Sequence, residues 1–154
     1  MRRFVNPGNS AFQVALNSEI YVDKTGLLEY TNKVIDTKQG YICNSRPRRF
    51  GKSITADMLT AYYSRDCDSM EMFSKLKISK NTEFEKYLNK YDVIHIDIQW
   101  CIGAVGGAER VISYIVRNVI DELRQYYPKE LSQDINSLSE ALSSINAATG
   151  EKFI

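Results

Sequence analysis

The period of the apolar positions changes several times along the chain, and each change marks an element. Tyr41-Ile42-Cys43 is a short apolar run of strand type, a loop follows, and then Ile54, Met58, Leu59 and Tyr62 recur at helical spacing. The pattern is strand, tight loop, helix. Val93-Ile94-His95-Ile96-Asp97-Ile98 alternates strictly, which predicts a strand with Ile94, Ile96 and Ile98 on one face. Over 108–127 the residues Val111, Ile112, Ile115, Val116, Val119, Ile120 and Leu123 form one broad stripe, predicting the longest helix, which Pro128 ends.

Weaker patterns fill the rest. Asn6-Pro7-Gly8-Asn9 is turn chemistry, and Phe12, Val14 and Leu16 alternate after it, as in a short strand or irregular arm. Asp23 stands where a helix N-cap should, ahead of Leu27, Leu28, Val34 and Ile35. The stretch 64–79 is polar and irregular, with Met70, Met72, Phe73, Leu76 and Ile78 as core filler. Thr82 with Glu85, and Ser137 with Glu140, have the spacing of capping boxes, and each predicts a helix start. After Gly150, Phe153 and Ile154 look like the opening of a further strand.

Together these elements predict an α/β fold with parallel strands near 40–45 and 92–100, helices on both faces, and a nascent third strand at the end of the chain. Open edges of such a sheet would favour self-association. A length of 154 residues suits one domain, 1–154, comprising an N-terminal arm and helix over 1–39 and the strand–helix units over 40–154.

Composition narrows the function classes more than it selects one. With 44% hydrophobic and 25% charged residues and a net charge of +1, the chain carries no general field for steering nucleic acid, although Arg46, Arg48, Arg49 and Lys52 form a local basic patch. Cys43, Cys67 and Cys101 are odd in number and lack a C-x-x-C pair, so neither a disulfide framework nor a zinc site is indicated. Polar Asn6 to Ser10 stands where a signal peptide needs an apolar run, and no stretch reaches the ~20 apolar residues of a membrane span. A cytoplasmic location is expected.

The candidate chemistry lies in Gly51-Lys52-Ser53. A polyphosphate is held by successive backbone N–H groups and the positive end of a helix, so the chain must approach the anion without a Cβ in the way, which Gly51 allows. Lys52 supplies a point charge for the β and γ phosphates, and the Ser53 hydroxyl is a ligand for Mg²⁺. Against the general pattern G-x-x-x-x-G-K-[ST], Arg46 replaces the first glycine.

Tyr21-Val22-Asp23-Lys24-Thr25-Gly26-Leu27, followed by Ser45-Arg46-Pro47-Arg48-Arg49-Phe50-Gly51-Lys52-Ser53, resembles the AAA-ATPase-like family from about Phe4 onward. The loop of that family has the form R-P-R-R-F-G-K-S, so Arg46 agrees with it. The resemblance implies a partial P-loop NTPase fold, ATP and Mg²⁺ as cofactors, nucleotide contacts from Arg46, Pro47, Arg48, Arg49, Phe50, Gly51, Lys52, Ser53 and Ile54, and Ser53 as the metal ligand. It implies that the Tyr21 to Thr25 motif frames the pocket. It also implies a nuclease-like domain elsewhere in relatives, and through it a nucleic-acid partner.

In the family a third strand ends in an acidic pair, Asp then Glu, that grips Mg²⁺; here that strand reads as cut off at Ile154, so the chain is expected to be the N-terminal part of such a domain, ending before the pair. Asp97 closes the predicted second strand, but Ile98 and Gln99 follow it, so it reads as a polar residue on a half-covered face; His95 reads as a structural histidine. Phosphoryl transfer depends on positioning and charge neutralisation, so ATP binding is expected with poor hydrolysis. The rival expectations are a nucleic-acid module using the arginine-rich loop, and an inert interaction domain.

Overall fold

The computed structural model describes residues 3–45, 47 and 49–154. Among them are eight α-helices: α1 Ser10–Leu16, α2 Gly26–Val34, α3 Lys52–Tyr63, α4 Met70–Ser74, α5 Phe84–Tyr87, α6 Ile98–Val105, α7 Val111–Tyr126 and α8 Leu138–Thr149. Short 3₁₀ turns lie at Lys77–Lys80 and Ala108–Arg110. The chain gathers into two compact units, one made of 8–90 and the other of 1–7 with 91–154.

The expected α/β fold, a partial P-loop NTPase arrangement with parallel strands, is not what forms. The described residues contain no sheet. Single-residue bridges appear in its place, antiparallel between Val5 and Ile94 and parallel between Asp92 and Phe153. Residues 41–43 of the expected first strand take no part in a strand, and Tyr41 is 97% exposed. A strand has no hydrogen bonds of its own, so an apolar tripeptide without a neighbour remains a loop.

In the unit of 8–90, α1 packs against α3. The predicted alternation at Phe12, Val14 and Leu16 belongs to helix α1, of which only Phe12 is buried. Phe12 stacks on Phe73 at 5.2 Å between ring centroids, and Tyr62 meets Phe73 edge-on at 5.3 Å. The buried face of α3 includes Thr55, Met58, Ala61 and Tyr62, whereas Ile54, expected on that face, points outward. Buried hydroxyls within this aromatic core are satisfied internally: Tyr63 Oη lies 2.6 Å from Thr31 Oγ1 and donates to Asn32 Oδ1, while Tyr62 Oη donates to the Phe84 carbonyl. Core filling by Phe73 and Ile78 is as expected, although both sit on ordered helical turns of a stretch that reads as irregular.

Asn89 terminates the unit in a left-handed conformation, φ 55°. Its amide nitrogen donates to the carbonyls of Ala61 at 3.1 Å and Ser64 at 2.8 Å, and its oxygen accepts from Ser69 N. The last carbonyls of α3 are thereby satisfied from a distant residue. Near it, the T-x-x-E capping box does not form: Asn81 Oδ1 takes the Glu83 N–H, and α5 starts two residues later than Thr82.

In the unit of 1–7 and 91–154, α7 carries the core. Val111, Ile115, Val119, Ile120 and Leu123 are buried at its 3.6-residue spacing, and α6 and α8 pack on it. Ile112, counted in the stripe, is 72% exposed, so the buried face is narrower than the sequence suggests. Segment 92–95 accepts and donates backbone bonds on both sides: Asn6 N to Val93 O and His95 N to Phe4 O on one, Ile94 N to Ile154 O and Ile154 N to Asp92 O on the other. The expected strand over 92–100 stops early because Asp97 caps α6, its Oδ1 accepting Trp100 N at 2.9 Å.

Candidate functional site

The loop singled out by sequence enters α3 through two left-handed residues, Arg49 with φ 68° and Gly51 with φ 75°. Arg49 carries a backbone conformation that a side chain disfavours by about 1 kcal/mol. Gly51 is the N-cap of α3. A serine or aspartate at that position would use its own oxygen on the first-turn amides, whereas glycine has none to offer. The helix ladder begins with Thr55 N donating to Gly51 O at 3.0 Å, so the amides of Lys52, Ser53 and Ile54 precede the first intrahelical bond. Thr55 Oγ1 also donates to Gly51 O at 2.9 Å and fixes the turn from the helix side.

Lys52, Ser53 and Ile54 are all exposed in this first turn. Pro47 and Phe50 are exposed in the loop before it, with Phe50 N donating to Pro47 O at 3.4 Å. Arg46 and Arg48, expected at the same loop, lie outside the described residues. Arg49, Phe50, Gly51, Lys52, Ser53 and Ile54 are thus contiguous at the positive end of a twelve-residue helix.

The second motif comes to the same place from α2. Lys24 Nζ donates to the Phe50 carbonyl at 2.8 Å, and a Cβ built on Gly51 would stand 2.9 Å from that nitrogen. Asp23 is not the N-cap, which is Thr25. Its Oδ1 accepts both Thr25 N at 2.8 Å and Thr25 Oγ1 at 2.6 Å, and its Oδ2 accepts Lys77 N at 2.8 Å. Thr25 Oγ1 in turn accepts Ile78 N at 3.2 Å. Burial works to raise the Asp23 carboxyl, but these hydrogen bonds outweigh it and hold the group below the usual carboxylate range. Tyr21, packed edge-on against Phe12, is pushed up to about 12 by burial and then by the Asp23 charge.

Sequence reasoning ranked the motif Tyr21 to Thr25 by resemblance alone and passed over Lys24. The signal was a lysine two residues before a glycine-started helix, which without contacts looks like any surface lysine. It also passed over the adjacent acids Asp121-Glu122. Both are in α7: Glu122 accepts the N–H groups of Arg3, Phe4 and Val5 at 2.8–2.9 Å, and Asp121 pairs with Arg124 at 3.2 Å. Asp97 is a cap, and among the described residues no three His, Cys, Asp or Glu side chains gather as a metal site. Among the same residues no helix is long and apolar enough to cross a membrane.

Neither a curated protein nor a solved structure matches the chain. A family model described as "Predicted AAA-ATPase" matches residues 8–154, a span that includes both the loop at α3 and the segment bearing Lys24. The chain belongs to the AAA-ATPase-like family.

Proposed function

We propose that the chain binds a nucleoside triphosphate, with ATP as the reference ligand, at the N-terminus of α3. The observation that carries this is Gly51: a left-handed glycine at an N-cap, followed at once by exposed Lys52 and Ser53, in a chain whose family is described as an ATPase. Amides of the first helical turn and the helix dipole favour a multiply charged phosphate there. The same cradle would suit any oxyanion, and Lys52 narrows the choice to one with a charge beyond the first phosphate.

Mg²⁺ arriving with the nucleotide neutralises phosphate charge. On the protein the ligand for it would be Ser53, whose exposed position one residue into the helix fits that role. The chain's own residues then do three things. Backbone N–H groups orient the phosphates, Lys52 offsets their charge, and Gly51 keeps the approach open. These groups supply binding and charge neutralisation, so the proposal is of nucleotide binding and not of hydrolysis.

Isothermal titration with Mg·ATP tests the proposal. Saturable heat that disappears in Lys52→Ala is expected; identical heat in the two proteins, or none in either, would remove the idea.

A further inference from the structure

We infer that Lys24 is the positioning residue of this phosphate loop, an inference that rests on the nucleotide-binding proposal above. The ammonium lies 2.8 Å from the carbonyl of Phe50, the residue whose peptide leads into Gly51. Holding that carbonyl orients the Phe50–Gly51 peptide, because the Phe50 C=O and the Gly51 N–H lie in one six-atom plane. The peptide that enters the N-cap of α3 therefore takes its direction partly from a side chain 26 positions before Phe50.

The base that delivers the ammonium is rigid. On one side of Lys24, the Asp23 carboxylate is fixed by two bonds to Thr25 and one to Lys77 N. On the other, Thr25 is fully buried, and the Lys24 carbonyl itself accepts Leu27 N at 3.0 Å at the start of α2. Residues 41–45, 47, 49 and 50 are all exposed, and the bond from Phe50 N to Pro47 O is long at 3.4 Å. A charge-assisted bond from an ordered base to an exposed loop is well suited to set the loop's conformation.

Gly51 is favoured as glycine by its positive φ, and a Cβ there would come to 2.9 Å from Lys24 Nζ, so that the ammonium would have to shift from its place on the Phe50 carbonyl. The close approach of lysine and glycine couples the two motifs of the sequence. It also places positive charge beside the helix end where the proposed anion sits, so a neutral residue at 24 would lose both loop orientation and favourable field.

The test uses the whole chain and three measurements. Mg·ATP affinity by titration calorimetry is compared for the unsubstituted protein, Lys24→Met, Lys24→Arg and Lys52→Ala, with thermal unfolding of each recorded without nucleotide. Lys24→Met is expected to weaken binding about tenfold or more with little change in the unliganded midpoint, and Lys24→Arg to recover most of the loss. The loss of affinity caused by Gly51→Ala should be smaller in the Lys24→Met background than in the native one, because the crowding at Nζ is gone.

Unchanged affinity in Lys24→Met beside lost affinity in Lys52→Ala would overturn the role of Lys24 and leave the nucleotide proposal standing. A fall in unfolding midpoint that accounts for the binding loss, unrescued by Lys24→Arg, would reduce Lys24 to a scaffold residue and overturn the inference as well. Should Lys24→Met fail to fold, Lys24→Gln takes its place. Absence of Mg·ATP binding by the unsubstituted chain would sink both proposals together.

Discussion

Glu122 accepts the backbone N–H of Val5 at 2.8 Å, and the same carboxylate takes the N–H groups of Phe4 and Arg3. One side chain of α7 thus satisfies three consecutive amides of the N-terminal arm, whose other edge bonds to 93 and 95. Hydrogen bonds to a charged group are stronger than neutral ones, and truncation leaves buried donors such as that of Val5 unpaired. Glu122→Ala is expected to lower unfolding free energy by about 2 kcal/mol or more. Urea denaturation checks this, and a loss under about 0.5 kcal/mol, the range of ordinary surface changes, would refute it.

Asn89 combines two unusual demands, a positive φ and carbonyl partners at the end of α3. Asn89→Gly loses only the side-chain bonds, whereas Asn89→Ala loses them and adds the left-handed penalty of about 1 kcal/mol. Both variants should be destabilised, alanine the more. The order of their chemical-denaturation midpoints decides it.

Asp23 makes stability depend on pH in a definite direction. Its folded-state carboxyl is held below the ordinary value of 3.8, so the unfolded chain binds the proton first. The contribution is therefore present above pH 3.8 and fades as pH falls through the lowered folded value. Asp23→Asn should be less stable than the native chain at pH 6, and the gap should close on acidification. A gap that stays constant down to pH 2 would contradict the arrangement with Thr25 and Lys77.

Tyr21 sets the opposite limit. Its hydroxyl is raised from 10.0 to about 12, so the neutral form is favoured by folding. That stability is complete below pH 10 and is lost as pH rises through about 12. Ultraviolet titration of phenolate formation should show a late-titrating tyrosine that Tyr21→Phe removes.

The three thiols should separate by exposure. Cys43 is exposed, Cys67 is half-buried with burial pushing its thiol up, and Cys101 is buried against the core of α7. A disulfide-exchange reagent at pH 8 should modify Cys43 fastest and Cys101 only as the chain unfolds. Cys43→Ser should remove the fast phase.

Much of this was legible from spacing alone, and the rest was not, for one reason. Helices α3, α7 and α8 could be read because a helix closes its hydrogen bonds within its own residues, so Gly51 before α3, Pro128 after α7 and Gly150 after α8 act where they stand in the chain. That Gly51, Lys52 and Ser53 stand at the start of a helix could be read for the same cause: the three residues are neighbours. Tyr41-Ile42-Cys43 could not, because a strand is completed only by another segment, and among the described residues none is paired with it. Asp23 looked like a local cap until Lys77 N, 54 residues on, became one of its partners. Lys24 likewise acquired its place only through Phe50. Contacts within a turn follow from the order of residues, while contacts across tens of residues depend on which packed arrangement wins, and that belongs to the tertiary structure.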